Sequence, residues 1–202
     1  MFGGRCLLPF LYVRYFRAFQ MSAIAGKMAL LIDGPNLHVT AKALGFDVDF
    51  KRLLAEFGTR GPLLRAYYYA TIPEDAMEYT TIRPLTDWLS YNGFTVVVKS
   101  AKQYDDGEGR RRLKRNIGVE LTVDALEIAR HVDEVVLFSG DGDFCPLADA
   151  IQRRGCRFTV VSSLRTQRLV IADELRRKAD EFLELDVLRD RIGRSVPSVA
   201  AK

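Results

Sequence analysis

The amino-acid sequence predicts an α/β fold, with a mainly parallel sheet of about five strands and helices on both faces. Short apolar runs rich in β-branched residues alternate along the chain with segments of helical spacing, a pattern typical of parallel sheets. Two of these runs end abruptly in aspartate-containing turns, as strands do where an open sheet presents its loops to a ligand. A chain of 202 residues with 48% hydrophobic content can bury one sizeable core, so we expect one domain.

The first half of the chain predicts three strands, each followed by helical sequence. Strands are expected at residues 28–32, 63–71 and 94–98, and helices at residues 35–44, 50–57 and 75–92. Pro35 suits the first turn of a helix, and Asp49 suits the cap of the helix that follows it. Gly45, Gly58 and Gly93 stand where the three helices should end.

The second half predicts further strands and helices beyond a polar connection. Residues 99–117 break the alternation, because an acidic, glycine-containing stretch leads there into five basic residues within six positions. We interpret this stretch as a flexible charged loop. Val119 and Val123 belong to the apolar spacing of the helix that follows. Beyond the loop, helices are expected at residues 118–131, 143–154 and 165–182, strands at 135–138 and 157–161, and a short extended segment at 183–187.

Residues 28–187 therefore form the expected domain, with a tail on each side. Residues 1–27 hold four basic residues and no acidic one, so this N-terminal extension carries the whole net charge of +4. Because the first strand begins at Met28, Met21 and Met28 are both candidates for the true start of the protein. Residues 188–202 end in serine, proline and alanine, and we expect a disordered tail there.

Cysteine content and hydropathy favour a cytoplasmic protein. Cys6, Cys145 and Cys156 are too few and too scattered for a disulfide framework, which is typical of a reducing compartment. The apolar run at residues 6–13 is too short to span a bilayer, so we expect no membrane association. The sequence leaves the oligomeric state open, and a homodimer is one of the alternatives.

Carboxylates follow two of the predicted strands and begin one predicted helix. The candidate metal ligands are Asp33, Glu120, Asp124, Asp141 and Asp143. If the two strands are adjacent and parallel, their acids meet in one crevice, where a divalent cation would offset their mutual repulsion. Mg²⁺ or Mn²⁺ held by carboxylates suits the hydrolysis of a phosphodiester. Asn36 would orient the water or a phosphate, and Ser139 would support the ligands.

Each of these acids also has an ordinary structural interpretation. Asp33 and Asp143 each precede a helix, where an aspartate commonly caps the first turn. Glu120 and Asp124 lie early in a helix, where negative charge favours the helix dipole. A metal site requires these acids to meet in one crevice, whereas acids that only cap helices have no reason to lie together.

Basic residues flank the predicted crevice and form a candidate RNA-binding surface. They are Arg110, Arg111, Arg112, Lys114, Arg115, Arg165 and Arg168. Arginine and lysine bind phosphates without reading the base sequence. A solvated loop is the alternative for the first five residues, because three acidic residues precede them at positions 105–108.

Three blocks carry a resemblance to a known family. They are Asp33-Gly34-Pro35-Asn36, the stretch from Lys114 to Asp124, and Ser139-Gly140-Asp141-Gly142-Asp143-Phe144. These blocks resemble the NYN domain, LabA-like branch, of the PIN-like nuclease superfamily, over about residues 28–185. The resemblance implies a Rossmann-like three-layer α/β/α sandwich. It also implies a metal-dependent ribonuclease site formed by Asp33, Asp124, Asp141 and Asp143, with Asn36 close by. Glu120 departs from the family pattern, which usually has an aspartate there.

From these observations we predict a metal-dependent endoribonuclease that uses Mg²⁺ or Mn²⁺ and acts on single-stranded or structured RNA. The alternative is a non-catalytic RNA-binding or regulatory protein of the same fold, favoured by Glu120 and by the neutral balance of charge beyond residue 27. A small-molecule phosphohydrolase is a third hypothesis. It needs a closed substrate pocket, and no feature of the sequence marks one.

Overall fold

The structure is a computed structural model, and it describes residues 26–73, 76–105, 111–114, 117–166 and 170–194. The strands are β1 (Met28–Asp33), β2 (Leu63–Pro73), β3 (Phe94–Asp105), β4 (Arg111–Lys114), β5 (Glu134–Phe138), β6 (Arg157–Ser162) and β7 (Glu181–Glu184). The helices are α1 (Gly34–Ala43), α2 (Phe50–Gly58), α3 (Ala76–Tyr91), α4 (Gly118–Ile128), α5 (Cys145–Gln152), α6 (Asp173–Lys178) and α7 (Leu185–Ile192). None of the helices among the described residues is long and apolar enough to cross a membrane.

The described strands form one sheet in the order β4-β3-β2-β1-β5-β6-β7. All neighbouring pairs are parallel except β3 and β4, which are antiparallel. The predicted α/β fold with a mainly parallel sheet is therefore confirmed. The sheet is wider than expected, because β4 and β7 extend its two edges.

Apolar residues on both faces of the sheet build two cores. In β1, Ala29 and Leu31 pack against α4, α5 and α6, whereas Leu30 and Ile32 pack against α1, α2, α3 and α7. A strand that is buried on both faces has a nearly continuous apolar sequence. The apolar run at residues 28–32 therefore correctly predicts a central strand. The protein is thus a three-layer α/β/α sandwich centred on β1.

The predicted charged loop at residues 99–117 is wrong for most of its length. The strand that begins at Phe94 continues to Asp105, and residues 102–105 pair with β4 in an antiparallel register. This pairing satisfies the main chain at the edge of the sheet, so polar sequence there adopts extended structure. Residues 106–110 and 115–116 lie outside the described residues.

The long helix predicted at residues 165–182 is also wrong. The described helix in this region is α6, six residues long, and residues 181–184 form β7. The backbone of Ala179 is extended, and the Asp180 side chain accepts a hydrogen bond from the Phe158 N–H at 2.8 Å. Tertiary hydrogen bonds to β6 thus end the helix. The segment expected to be extended at 183–187 is mostly the start of α7.

The connections leave β1 and β5 in opposite directions. The chain passes from β1 outward to β2 and β3, and after β5 it passes outward to β6 and β7 on the other side. β1 and β5 are adjacent and parallel, with Ile32 paired to Phe138, as the predicted convergence of acids requires. Such a reversal of strand order opens a crevice outside the carboxyl ends of the two strands.

Candidate active site

A cavity of about 590 Å³ lies at the carboxyl ends of β1 and β5. Its polar lining includes Asp33, Asn36, Asp141 and Asp143. Asp33 is half-buried at the end of β1, and the other two aspartates are exposed on the turn after β5. The topology thus brings together three of the five predicted carboxylates.

The hydroxyl of Ser139 connects the side chain of Asp33 to the backbone of Asp141. It donates a hydrogen bond to Oδ2 of Asp33 at 3.0 Å and accepts one from the Asp141 N–H at 3.3 Å. Ser139 is 1% exposed, so the packing around it fixes these contacts. This geometry agrees with the supporting role predicted for Ser139, which stays a prediction until activity is measured.

Asn36 ties the turn after β1 to the turn after β5. Its N–H donates to Oδ1 of Asp33 at 3.2 Å, and its side-chain oxygen accepts from the Gly140 N–H at 3.2 Å. At Gly140, an added Cβ would lie 2.1 Å from the carbonyl oxygen of Val170. Only glycine permits this approach of two backbones. The chain after β6 thus packs directly on the aspartate turn.

Burial raises the pKa of Asp33 above its ordinary value, and the charge of Asp141 acts in the same direction. The N–H of Asn36 and the hydroxyl of Ser139 oppose this rise, because they donate to the ionised carboxylate. The ionised form of Asp33 is therefore held against a net electrostatic cost. A cation in the crevice would lower that cost.

Two of the acids also cap helical turns. Asp33 is the N-cap of α1, and Asp141 caps the single 3-10 turn Gly142–Phe144 by accepting the Asp143 N–H at 3.0 Å. The predicted capping is confirmed for Asp33, but in the second turn the cap is Asp141 and not Asp143. A cap uses one carboxylate oxygen here, so capping and ligand binding are compatible.

Glu120 and Asp124 are outside the set of residues that line the cavity. Glu120 forms an ion pair with Lys99 of β3, and Asp124 accepts a hydrogen bond from the Tyr69 hydroxyl of β2 at 3.0 Å. The flank of α4 that faces the cavity instead carries Gly118, Val119, Thr122 and Val123. The spacing correctly predicts that the two acids share a flank of α4, and the structure turns that flank towards β2 and β3.

Several residues that line the cavity are not predicted from the sequence to belong to the site. The apolar spacing of α4 includes Val119 and Val123, but these two valines line the cavity and are 55% and 49% exposed. The buried residues of the helix include Leu121 and Ala125. Both stripes have helical periodicity, so the sequence alone does not choose between them. Thr71 of β2 also lines the cavity, and no sequence signal marks it.

The donor set fits a hydrated divalent ion more closely than a cage made wholly of protein ligands. Among the described residues, no three acidic, histidine or cysteine side chains are grouped closely enough to hold a metal. Asp33 and Asp141 are nevertheless close enough to repel each other. Mg²⁺ commonly takes one or two carboxylates and keeps several waters. The crevice therefore fits one such ion, and the role of Glu120 and Asp124 as metal ligands stays a prediction from the sequence.

The predicted RNA-binding residues are only partly visible. Arg165 follows β6, and its guanidinium pairs with Asp186 of α7 at 2.7 Å. The backbone of Arg111, Arg112 and Lys114 forms β4. Arg110, Arg115 and Arg168 lie outside the described residues. A basic surface beside the crevice thus remains a prediction from the sequence.

Comparisons with known proteins place the chain in a family. Residues 27–186 match the NYN domain family. The low amplitude and bright protein LabA of Synechococcus elongatus is 32% identical over 184 residues, covering 87% of this chain and 94% of that protein. The crystal structure of a Vibrio parahaemolyticus protein of unknown function is 30% identical, with a TM-score of 0.68, covering 86% of this chain and 99% of the other. The chain therefore belongs to the NYN domain family and is a LabA-like member of this PIN-like nuclease group.

Proposed function

We propose that this protein is a metal-dependent endoribonuclease whose active site is the crevice between the ends of β1 and β5. The observation that carries the proposal is that Ser139 binds the Asp33 carboxylate and the backbone N–H of Asp141, which places the Asp141 carboxylate in the same cavity as Asp33. Burial and, to a smaller extent, the nearby charge of Asp141 disfavour the ionised Asp33 carboxylate, and a cation in the crevice would offset both. Membership of a nuclease family makes RNA the substrate class to test first.

Asp33 and Asp141 are the residues that would hold Mg²⁺ or Mn²⁺, with Asp143 at the rim of the same cavity. When bound, such an ion supplies Lewis acidity for a phosphodiester and lowers the pKa of water. Ser139 and the Asn36 N–H keep both oxygens of Asp33 in fixed directions. Positioning of this kind is the contribution of the protein to the reaction.

The N-terminal end of α4 lies at the crevice and would partly stabilise the negative charge of an RNA phosphate. Ile117 and Gly118, at the start of α4, line the cavity, and within the described residues no side chain caps this helix. The N-terminal turn of a helix favours a nearby anion. This end of α4 therefore complements the cation in attracting a phosphate.

The test is cleavage of a mixed pool of labelled RNAs in Mn²⁺, in Mg²⁺ and in EDTA, by the native protein and by Asp141→Asn. Asparagine retains the size and the capping oxygen of Asp141 but lacks its charge, so the turn after β5 should persist. The matched control is Asp190→Asn, an exposed aspartate of α7. We expect metal-dependent cleavage by the native and control proteins only. Equal cleavage by Asp141→Asn would refute the proposed site.

A non-catalytic RNA-binding protein is the second candidate function. It is favoured by the engagement of Glu120 and Asp124 with Lys99 and Tyr69, which leaves the crevice with few carboxylates. RNA binding that persists in EDTA, with no cleavage in either metal, would support this candidate. Cleavage that Asp141→Asn abolishes would exclude it.

A further inference from the structure

Three exposed valines surround the opening of the crevice. Val39 of α1 is 59% exposed, and Val119 and Val123 of α4 are 55% and 49% exposed. All three line the same cavity as the aspartates. Single exposed apolar side chains are ordinary, but a group of them around one polar crevice is typical of a ligand site.

The two valines of α4 lie four residues apart, so they present one continuous apolar strip on that helix. Val39 contributes apolar surface from α1, an independent element whose N-cap is Asp33. The cavity of about 590 Å³ thus combines apolar walls with carboxylates. This volume lies within the range of small-molecule and cofactor sites, about 300–1,000 Å³.

Thr71 adds a polar group on the wall formed by β2. Its hydroxyl oxygen is buried and has no hydrogen-bond partner among the described residues. A buried hydroxyl without a partner is unfavourable, and a hydroxyl can both donate and accept. Because Thr71 lines the cavity, rotation of its side chain would bring this hydroxyl to the polar edge of a ligand.

We propose that the crevice binds one unstacked nucleotide of a single-stranded RNA, with its base against Val39, Val119 and Val123 and its polar edge at Thr71. The proposal rests on the proposed function and deepens it, because it names what the non-acidic part of the same site recognises. A nucleobase has apolar faces and a hydrogen-bonding rim, which matches apolar walls beside a hydroxyl. Proteins commonly recognise single-stranded RNA by taking up splayed bases and forming hydrogen bonds to their edges.

The test compares two labelled single-stranded hexanucleotides that differ in one position, where one of them carries a ribose without a base. Binding is measured by fluorescence anisotropy in Ca²⁺, so the result does not depend on cleavage. The variants are the double change Val119→Ser with Val123→Ser, and the single change Thr71→Val. The control is Val187→Ser, a valine of α7 that is 60% exposed and is not among the residues lining the cavity.

We expect the native and control proteins to bind the intact strand about tenfold more tightly than the base-free strand, because apolar burial of one base is lost in the latter. In the double serine variant the two strands should bind with nearly equal affinity. Thr71→Val should retain tight binding but alter the preference among the four bases. Melting curves establish that each variant is folded, as expected for the exposed valines.

Equal binding of the two strands by the native protein would overturn the inference, even if the protein cleaves RNA. Base-dependent binding that disappears in the double serine variant, without any cleavage in Mg²⁺ or Mn²⁺, would support the inference and refute the nuclease proposal. Failure of the native protein to bind either strand would overturn the inference, whereas the cleavage assay with Asp141→Asn decides the nuclease proposal separately. Tighter binding of an arginine-rich peptide than of RNA, lost in the same variant, would also overturn it, because the crevice would then be a protein-binding site.

Discussion

The acids after β1 and β5 and the acids of α4 have the same chemistry but different partners. Ser139 binds the carboxylate of Asp33 and the backbone N–H of Asp141, and both acids line the crevice. Glu120 and Asp124 are bound to Lys99 and Tyr69, on the flank of α4 that faces β2 and β3. The position of a side chain at the end of a strand is determined by the strand order of the sheet. The position of a side chain on a helix also depends on the rotation of that helix about its axis.

Asp33→Asn should produce the largest effect, a loss of RNA cleavage of at least about 100-fold. The same change should raise the melting temperature in EDTA by about 2–4 °C, because it removes a carboxylate whose ionised form is disfavoured by burial. Cleavage assays and calorimetry measure the two effects. Asp124→Asn is the matched variant on α4, and it should retain cleavage and lower stability. Lost cleavage in Asp124→Asn, with cleavage retained in Asp33→Asn, would show that Asp124 belongs to the active site.

The positions of the acids that follow β1 and β5 could be predicted from the sequence. Asp33 and Asp141 each follow a short apolar run, and parallel strands in an open sheet must end on the same edge. On the helix side, the spacing of Glu120 and Asp124 predicts only that they share a flank. Which flank faces the crevice depends on which apolar stripe packs on the sheet. Leu121 and Ala125 pack there, and Val119 and Val123 do not.

The remaining differences between prediction and structure also come from long-range contacts. β4 forms because it pairs with the edge of β3, and α6 ends where Asp180 contacts β6. Local sequence does not encode either partner. Asn36 is similar, because its side chain accepts from Gly140, more than 100 residues later in the chain. The sequence marks such residues as candidates, and the fold assigns their contacts.

Gly140→Ala tests how strongly the crevice depends on close backbone packing. The new Cβ would collide with the backbone of Val170, so we expect the free energy of unfolding to fall by about 3 kcal/mol. RNA cleavage should also decrease, because the same collision displaces the turn that carries Asp141. Gly58→Ala is the control, because no atom lies within 4 Å of the added Cβ at that position. Urea unfolding measures both. Equal stability of the two variants would contradict the packing of residue 170 on the aspartate turn.

Tyr69→Phe tests the α4 flank without changing its charge. The Tyr69 side chain is fully buried, and its hydroxyl donates to a half-buried carboxylate, so its removal should cost about 1–2 kcal/mol. The neighbouring Tyr67, whose hydroxyl donates to no carboxylate among the described residues, is the control as Tyr67→Phe. RNA cleavage should persist in both variants. A loss of cleavage in Tyr69→Phe alone would mean that Asp124 acts on the substrate site.

Glu120→Gln should have the smallest effect, and that effect should depend on pH. Both partners are more than a third exposed, so the pair with Lys99 contributes only about 0.5 kcal/mol. The hydrogen bond from Lys99 lowers the pKa of Glu120 from its ordinary value of 4.5, so the contribution of the pair is present above that pH and is lost as the pH falls through the lowered pKa. Unfolding curves should therefore separate the variant from the native protein at pH 7 and bring them together once the pH has fallen below the lowered pKa of Glu120. Unchanged stability at pH 7 together with lost cleavage would instead make Glu120 the metal ligand that the sequence predicts, and the comparison between the two groups of acids would fail.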